Sequence, residues 1–310
     1  MRKTCLDCVY ELAKKDKRVV FIGSDLGAGT LDQFKKEMPE RFFMEGISEA
    51  NIVGLAAGLA LNGKIPYINI IAAFLARRCF EQVLLDVSFH NTNVRLIGSG
   101  GGLVYAPLGY THLAIEDIAI MRTIPNMTVV VPADANEMRR LMPQTLDYDG
   151  PIYIRLAKGG DPIVTSDDYG FQIGKPICMR EGDDALIITT GVLLKTSLDA
   201  SAELGKEGKG VGVLHIHTLK PIDKEMVLKY VEKVPIIVTI EEHTVVGGLG
   251  SAIAQIIVEA NFNTPKKFKM IGIPDVFPDK YGSQASLWKR YSITKENLME
   301  TIITLSKKGG

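Results

Sequence analysis

The sequence predicts an α/β protein made of two doubly wound domains, each built on a mostly parallel sheet. Short β-rich runs alternate with longer helical patterns, as in sheets whose parallel strands are joined by helices. One polar stretch rich in glycine and proline, at about 157–183, interrupts the alternation and indicates a linker with an edge hairpin. Because 310 residues suffice for two ordinary domains, we expect them at 1–165 and 184–310, with the linker at 166–183.

The first domain is predicted to hold five strands, each followed by a polar or glycine-rich loop. The helix at 52–63 carries no charge over twelve residues, so we expect it to be buried on every side. Asp134 is expected to cap the helix at 135–147. The strands cover 18–25, 65–71, 93–98, 127–134 and 151–156, and the other helices cover 75–89 and 113–122.

The second domain repeats this alternation. Its predicted strands lie at 184–191, 210–219, 235–242 and 267–274, and its helices at 192–207, 223–233, 248–260 and 295–306. Ligands of such sheets bind at the carboxyl ends of the strands, where the loops gather. The residues that follow the strands are therefore the candidates for a functional site.

The composition excludes several classes of partner. The 36 basic and 36 acidic residues cancel, which argues against nucleic acid and anionic membranes as partners. There is no long apolar run, and the N-terminal stretch is too charged for a signal peptide. Four cysteines in a chain of this length favour reduced thiols and a cytoplasmic location. The Cys5–Cys8 pair has no second CxxC, so we interpret it as helix packing rather than a metal site.

The candidates at the strand ends of the first domain are Asp25, Glu49, Phe74, the glycine-rich loop 98–112 and Arg155. Glu49 allows two interpretations. With Ser48 as the N-cap it is a first-turn carboxylate that the helix dipole stabilises by about 0.3–1 kcal/mol. Alternatively it is a functional group, since a carboxylate carried into the interior loses solvation unless something pairs with it.

The neighbouring aromatic and basic residues also have ordinary structural explanations. Phe74 fits the apolar face of a helix, and a histidine such as His112 before a helix is more often a capping or packing residue. Arg77 and Arg78 cannot share one helix face, so at least one should be solvated or paired. The motifs GxSxG and HExxH are absent, so these local patterns name no reaction by themselves.

Read in order, the motifs resemble the C-terminal half of transketolases and of 1-deoxyxylulose-5-phosphate synthases. That half comprises a pyrimidine-binding domain and a transketolase C-terminal domain, and the resemblance spans nearly the whole chain. The matching segments are GSDLGAGT (23–30), RFFMEGISEANIVGLAAGLA (41–60), FLARRCFEQV (74–83), THLAIEDIAIMRTIPNMTVVVPADANE (111–137), GPIYIRL (150–156), HTLKPID (217–223) and EEHTVVGGLGSAI (241–253).

The resemblance implies a thiamine diphosphate enzyme that transfers a two-carbon ketol unit between sugars or sugar phosphates. It makes Glu49 the carboxylate that hydrogen-bonds the N1′ atom of the cofactor's aminopyrimidine, which favours the imino tautomer that removes the thiazolium C2 proton. Phe74 would stack on the pyrimidine, and Asp25, Leu26 and Arg78 would lie beside the cofactor. His112 would contact the substrate's oxygens and act with Glu49 in catalysis. The resemblance assigns sugar-phosphate contacts to Arg155 and, more weakly, to Lys158.

Two departures from the family pattern concern the sugar-binding half of the site. Pro107 and Leu108 stand where transketolases carry acidic residues that include an aspartate for substrate hydroxyls. The family often has a histidine at the position of Gly100 and a second aromatic residue near Ile71. We therefore do not expect the usual pentose phosphates to be the substrates.

The sequence also lacks the family's diphosphate site. No GDG motif with a downstream asparagine occurs, and EGDD (181–184) is the nearest string. Mg²⁺ needs oxygen ligands around a phosphate, so we expect no metal ligands here and a separate chain that carries them. The resemblance then implies one subunit of a split enzyme, an α2β2 assembly that is inactive without its partner.

Two other functions fit the same layout. One is the β-subunit of the decarboxylating component of a 2-oxoacid dehydrogenase, which would deliver acyl groups to a lipoyl carrier. The other is a non-catalytic subunit that has kept the fold, in which the loss of acidic residues at 107–108 would carry no penalty.

Overall fold

Two sheets of mainly parallel strands, one in each half of the chain, form the framework of the protein. The structure is a computed structural model that describes residues 1–24 and 29–307. One sheet has seven strands and the other five, and helices cover both. The predicted fold class, α/β with two doubly wound domains, is confirmed.

The first sheet takes six parallel strands from the first half of the chain and a seventh from the second half. Strands β1, β4 and β6 in its interior, whose ranges follow, are buried along their whole length, as expected for a parallel sheet covered on both faces. In chain order the six are β1 (Val19–Gly23), β2 (Phe42–Met44), β3 (Ile65–Ile71), β4 (Arg95–Ser99), β5 (Thr128–Val130) and β6 (Ile152–Leu156). Their spatial order is β5-β6-β4-β3-β1-β2.

The helices of the first half differ from the predictions in one important place. The single helix expected at 75–89 is three successive pieces, the last of them a π-helical turn (Val83–Phe89). As predicted, Asp134 caps the helix that follows it, accepting hydrogen bonds from the backbone N–H groups of Asn136 and Glu137. The helices are α1 (Arg2–Lys15), α2 (Asp32–Glu37), α3 (Glu49–Leu61), α4 (Ala72–Arg78), α5 (Phe80–Gln82), α6 (Asp117–Thr123) and α7 (Ala135–Gln144).

The second sheet is built from the strands β7 (Ile177–Arg180), β8 (Ala185–Thr189), β9 (Val211–His215), β11 (Ile236–Thr244) and β12 (Lys267–Ile273). Their spatial order is β12-β11-β8-β9-β7, with β7 antiparallel at the edge. Its helices are α8 (Leu194–Lys206), α9 (Lys224–Glu232), α10 (Leu249–Glu259), α11 (Gln284–Arg290) and α12 (Lys295–Lys307). Because β7 falls within 166–183, the end of the predicted linker belongs to the second sheet.

The strand predicted at 210–219 is divided between the two sheets. After β9 the chain leaves the second sheet, and β10 (Thr218–Lys220) pairs antiparallel with β5 at the edge of the first. The Val131 N–H donates to the His217 carbonyl at 2.7 Å, which fixes the crossing point. The prediction of one continuous strand was wrong. The apolar pattern of the sequence continues through the crossing, so it gives no sign that the chain changes sheets there.

The prediction that the helix at 52–63 is buried on every side was also wrong. α3 buries Ile52, Val53 and Ala56 against the sheet, but Leu55 and Leu61 on its other face are exposed. The apolar sequence of a helix indicates that its surface is unfavourable in water. It does not show whether the same chain or another molecule covers that surface.

Helices able to cross a membrane are absent from residues 1–24 and 29–307, because no helix there is both long and apolar enough.

Candidate active site

Four neighbouring strands end together at one edge of the first sheet, and the candidate residues gather there. β1, β3, β4 and β6 are parallel and adjacent, so their carboxyl ends share this edge. The Ser99 hydroxyl donates to the Asn69 side-chain oxygen at 2.7 Å, tying β4 to β3 beneath the loops. Asp25 and Leu26, expected beside the cofactor, lie outside the described residues.

Glu49 is the first residue of α3 and only 3% exposed. Its Oε2 atom accepts a hydrogen bond from Arg78 Nη1 at 2.9 Å, within an ion pair whose arginine is far more exposed. Ser48 occupies the N-cap position, but its hydroxyl donates to the Glu45 carbonyl instead of capping. The capping role predicted for Ser48 was therefore wrong, and Glu49 is held by the helix N-terminus and by the Arg78 cation.

Phe74 and His112 extend the site outward from Glu49. The Arg78 guanidinium lies 4.4 Å from the centre of the Phe74 ring. On the same ring, His112 packs edge-on with the ring centres 5.1 Å apart. The structure therefore brings Glu49, Arg78, Phe74 and His112 into one continuous group, although they come from three separate segments.

The adjacent Arg77 has a different function from Arg78. It forms an ion pair with Glu116, donates to the Leu113 carbonyl at 2.8 Å and lies 4.8 Å from the centre of the Tyr110 ring. These contacts fix the turn that carries His112. As expected from their positions on a helix, the two arginines point to different partners.

Arg155 has other partners than this group, and the sugar-phosphate contact expected of it stays a prediction. It is 6% exposed; its Nε donates to Asp117 Oδ2 at 2.8 Å, and its Nη2 donates to the Ala114 and Glu242 carbonyls. Arg155 therefore joins the two halves of the molecule. Lys158, beyond the end of β6, is exposed and stays available to an anionic ligand.

Two buried carboxylates at this junction were not singled out from the sequence. Asp117 also accepts from the Tyr153 hydroxyl at 2.6 Å. Glu242 Oε1 accepts from Leu103 N–H, Gln284 and Trp288 at 2.8–2.9 Å, while burial raises the pKa of its carboxyl group. The available signals were charged pairs set within apolar runs of the sequence, EE at 241–242 and ED at 116–117.

The loop at positions 100–109, which the resemblance predicts to face the sugar, presents small and apolar residues. Gly100 has a positive φ of 79°, and the Tyr105 ring fills the space into which a side chain at position 100 would point. Pro107 and Leu108 are exposed on a short turn. Tyr281 from the second domain packs against Gly109 behind them.

Groups of three or more His, Cys, Asp or Glu side chains able to hold a metal do not occur within 1–24 and 29–307. The group built around Glu49 can hold a proton and a planar ligand, and a metal ion would need other ligands.

The comparisons with known proteins identify the family. Residues 1–160 match the model of the transketolase pyrimidine binding domain, and residues 174–298 match that of the transketolase C-terminal domain. The chain belongs to the transketolase family.

Two relatives are named as transketolase subunits. The chain is 39% identical to the 6-deoxy-6-sulfo-D-fructose transketolase subunit SqwH of Clostridium sp. strain MSTE9, covering 96% of this chain and 92% of the relative. It is 36% identical to one of the subunits of the apulose-4-phosphate transketolase of Phocaeicola vulgatus, covering 99% of this chain and 97% of that subunit. The resemblance to two-chain transketolases is confirmed.

Solved structures show the same fold. A split-gene transketolase described as an inactive β4 tetramer superposes with a TM-score of 0.89 at 35% identity, over 98% of this chain and 97% of the other. A transketolase mutant from Pichia stipitis gives 0.81 at 18% identity, over 99% of this chain and 45% of that one, a likeness of fold alone.

Proposed function

We propose that this chain is the β-type subunit of a split transketolase, which transfers a two-carbon ketol unit from a ketose to an aldose. The observation that carries the proposal is a buried carboxylate, Glu49, beside Phe74 and His112 in a chain that matches both C-terminal transketolase domains. Thiamine diphosphate, when bound, supplies the electron sink that cleavage of a carbon–carbon bond requires.

The residues present suit the pyrimidine part of that cofactor. The Arg78 guanidinium already lies over Phe74 while it donates to Glu49, so a planar donor fits between these two side chains. Glu49 would hold a proton at the pyrimidine N1′ atom, in a place where exclusion of water strengthens the hydrogen bond. Phe74 would orient the ring by stacking.

His112 and Lys158 are the proposed substrate contacts. His112 borders Phe74 and is partly exposed, so it can reach the oxygens of a bound sugar. Lys158 offers a positive charge for an anionic terminus of the sugar. Because Pro107 and Leu108 stand where the family carries acidic residues, and Tyr105 fills the space beside Gly100, we propose sugars other than the common pentose phosphates.

The proposed partner is a chain that carries the diphosphate and Mg²⁺ site, with a GDG motif and a downstream asparagine. An exposed set of apolar residues, which we name the α3 patch, supports this proposal because its members lie on the helix that begins with Glu49, two residues before that helix, and on the π-helical turn beside it. A chain that completes the cofactor site would sit on this patch, and two such pairs would give an α2β2 assembly. The patch consists of Ile47, Leu55, Leu61, Leu85 and Phe89.

We also propose that the protein works in the cytoplasm. All four cysteines are free thiols in the structure, and Cys5 packs in α1 with its sulfur 3.8 Å from that of Met142. A reducing compartment suits this arrangement.

The test is to capture the tagged chain from its native extract, identify the co-purifying chain, and reconstitute the two. We expect ketol transfer that depends on thiamine diphosphate, Mg²⁺ and both chains. Robust turnover by the isolated chain would contradict the need for a partner. Reduction of a lipoyl peptide with a 2-oxoacid would instead favour the dehydrogenase component, and an inactive complex would favour a non-catalytic subunit.

A further inference from the structure

Arg78 makes two contacts that resemble those of the proposed cofactor. Its Nη1 atom lies 2.9 Å from Glu49 Oε2, and its guanidinium carbon lies 4.4 Å from the centre of the Phe74 ring. A guanidinium is a planar cation with N–H donors on its edge and a face that stacks on aromatic rings. An aminopyrimidine presents the same two features, an edge that hydrogen-bonds and a face that stacks.

We propose that Arg78 occupies the pyrimidine subsite in the isolated chain and is displaced when the cofactor binds. This inference rests on the proposed function, and it replaces the direct cofactor contact that the resemblance gave to Arg78. One side chain cannot hold the Glu49 oxygen and the Phe74 face while a pyrimidine ring uses both. Arg78 therefore competes with the cofactor and does not assist it in this position.

Before assembly, the contact between Arg78 and Glu49 stabilises the buried carboxylate. Glu49 is almost completely buried, and a buried carboxylate without a partner is strongly destabilising. Arg78 supplies the partner as long as the cofactor is absent. When a pyrimidine ring takes over the hydrogen bond to Glu49, the arginine is no longer needed there.

The surroundings of Arg78 allow it to leave. Its side chain is 47% exposed, whereas that of Glu49 is 4% exposed, so the cation lies on the solvent side of the pair. Within residues 1–24 and 29–307, Glu49 is its sole hydrogen-bond acceptor. It ends α4, and the chain breaks its helical course at Cys79. Arg77, one residue earlier, is instead held by Glu116 and by the Leu113 carbonyl.

The inference predicts how a pyrimidine fragment binds to the isolated chain. The probe is 4-amino-5-hydroxymethyl-2-methylpyrimidine, titrated at pH 8 and followed by NMR. If Arg78 fills the subsite about nine-tenths of the time, its removal should tighten the apparent affinity about tenfold. We therefore expect Arg78→Ala to bind the probe more tightly than the wild type, and Arg139→Ala, which removes an exposed arginine from α7, to bind as the wild type does.

Methylguanidinium tests the subsite independently, because it is the head group of the removed side chain. It should compete with the pyrimidine probe in Arg78→Ala and lose this effect when Glu49→Gln is added. Arg78→Lys keeps a cation near Glu49 without the planar face, so its affinity should fall between those of the wild type and Arg78→Ala. This variant also preserves the test if Arg78→Ala does not fold.

Two results would overturn the inference: equal or weaker probe binding in both Arg78 variants, or no competition by methylguanidinium. If either result occurs and the wild-type complex is active, the proposed function is still supported. Arg78 would then be interpreted as a direct cofactor contact. An inactive wild-type complex would count against the proposed function, whereas tighter probe binding in Arg78→Ala would still show that Arg78 blocks a pyrimidine-binding subsite.

Discussion

At the scale of single residues, Glu49 shows why an apolar helix begins with a carboxylate. The N-terminus of α3 and Arg78 together stabilise the charge where water is nearly excluded. A residue placed there only to start the helix could remain exposed at no cost. Burial beside an aromatic ring and a histidine instead favours a group that exchanges one hydrogen-bond partner for another.

We predict that Glu49→Gln lowers kcat of the reconstituted complex by about 100-fold or more, since a positioned proton acceptor contributes about that much. The amide keeps the shape of the side chain and loses the charge that holds the proton. Steady-state ketol transfer measures the effect, and Glu45→Gln, an exposed glutamate four residues earlier, is the matched control. Retention of wild-type kcat by Glu49→Gln would exclude this role.

Arg155 offers a second prediction, because the sequence and the structure assign it different roles. Removing one partner of a buried ion pair costs about 3–5 kcal/mol, so we expect Arg155→Met to lower the free energy of unfolding by roughly that amount. Urea denaturation of the isolated chain measures it. Lys195→Met breaks the exposed pair with Asp199 and should change stability by less than about 1 kcal/mol.

A different set of results would support the predicted sugar-phosphate contact of Arg155. In that case Arg155→Met would raise KM for a phosphorylated sugar and leave the unfolding free energy unchanged. The sequence could not separate these roles. Arg155 is held by Asp117 and by the Glu242 carbonyl, and both come from segments distant in sequence.

At the scale of elements, the sequence predicts a helix or strand well where the element's own residues determine it. It predicts poorly where contacts with a neighbouring segment determine where the element ends. The strand at 65–71 and the cap at Asp134 follow from their own residues, and both are confirmed. The break of the helix at 75–89 after Arg78 and the crossing of β10 depend on contacts outside those segments. The rule that ligands bind at the carboxyl ends of parallel strands already named Glu49, Phe74 and the loop with His112 as candidates, whereas their separate roles followed only from the resemblance.

The α3 patch carries a prediction about assembly. A charge in the centre of an apolar interface is costly unless it is paired, so Leu55→Glu should prevent association with the partner chain. Because Leu55 is already partly exposed, the isolated variant should fold as the wild type does. Size-exclusion chromatography with light scattering measures the mixture, and Val258→Glu on α10, also an exposed apolar position, is the control. A Leu55→Glu variant that still forms the complex would remove the patch from the interface.

At the scale of the whole molecule, the two domains interlock. Besides β10 and Arg155, the Thr244 N–H donates to the Ile115 carbonyl at 2.7 Å. Composition and alternation showed two sheets, but they could not show that the second half of the chain completes the first sheet. The domains should therefore unfold together rather than one at a time.

Two buried histidines lie at this junction. His215 at the end of β9 contacts Glu137 of α7, with Nε2 and Oε2 3.0 Å apart. His217, at the crossing toward β10, stacks on Phe171 with ring centres 4.1 Å apart. Burial lowers the pKa of His217 to about 4, from an ordinary value of 6.5.

This shift has a definite sign for stability. Above pH 6.5 His217 is neutral in both states, so it carries no penalty. Between pH 6.5 and about 4 the unfolded chain binds a proton that the folded chain refuses, and stability falls as the pH falls. By pH 5 the loss should be about 2 kcal/mol, at 1.36 kcal/mol for each pH unit below 6.5.

Between pH 7.5 and pH 5 the wild type should lose about 2 kcal/mol more of its unfolding free energy than His217→Gln does, because the variant has no histidine to protonate at this position. The comparison isolates His217, because Glu137, His215 and Arg140 remain in both proteins. Urea denaturation of the isolated chain at the two pH values gives the difference, and His90→Gln, which removes an exposed histidine, is the control. Equal losses in the wild type and His217→Gln would mean that His217 accepts its proton in the folded state, and that the junction between the domains admits water.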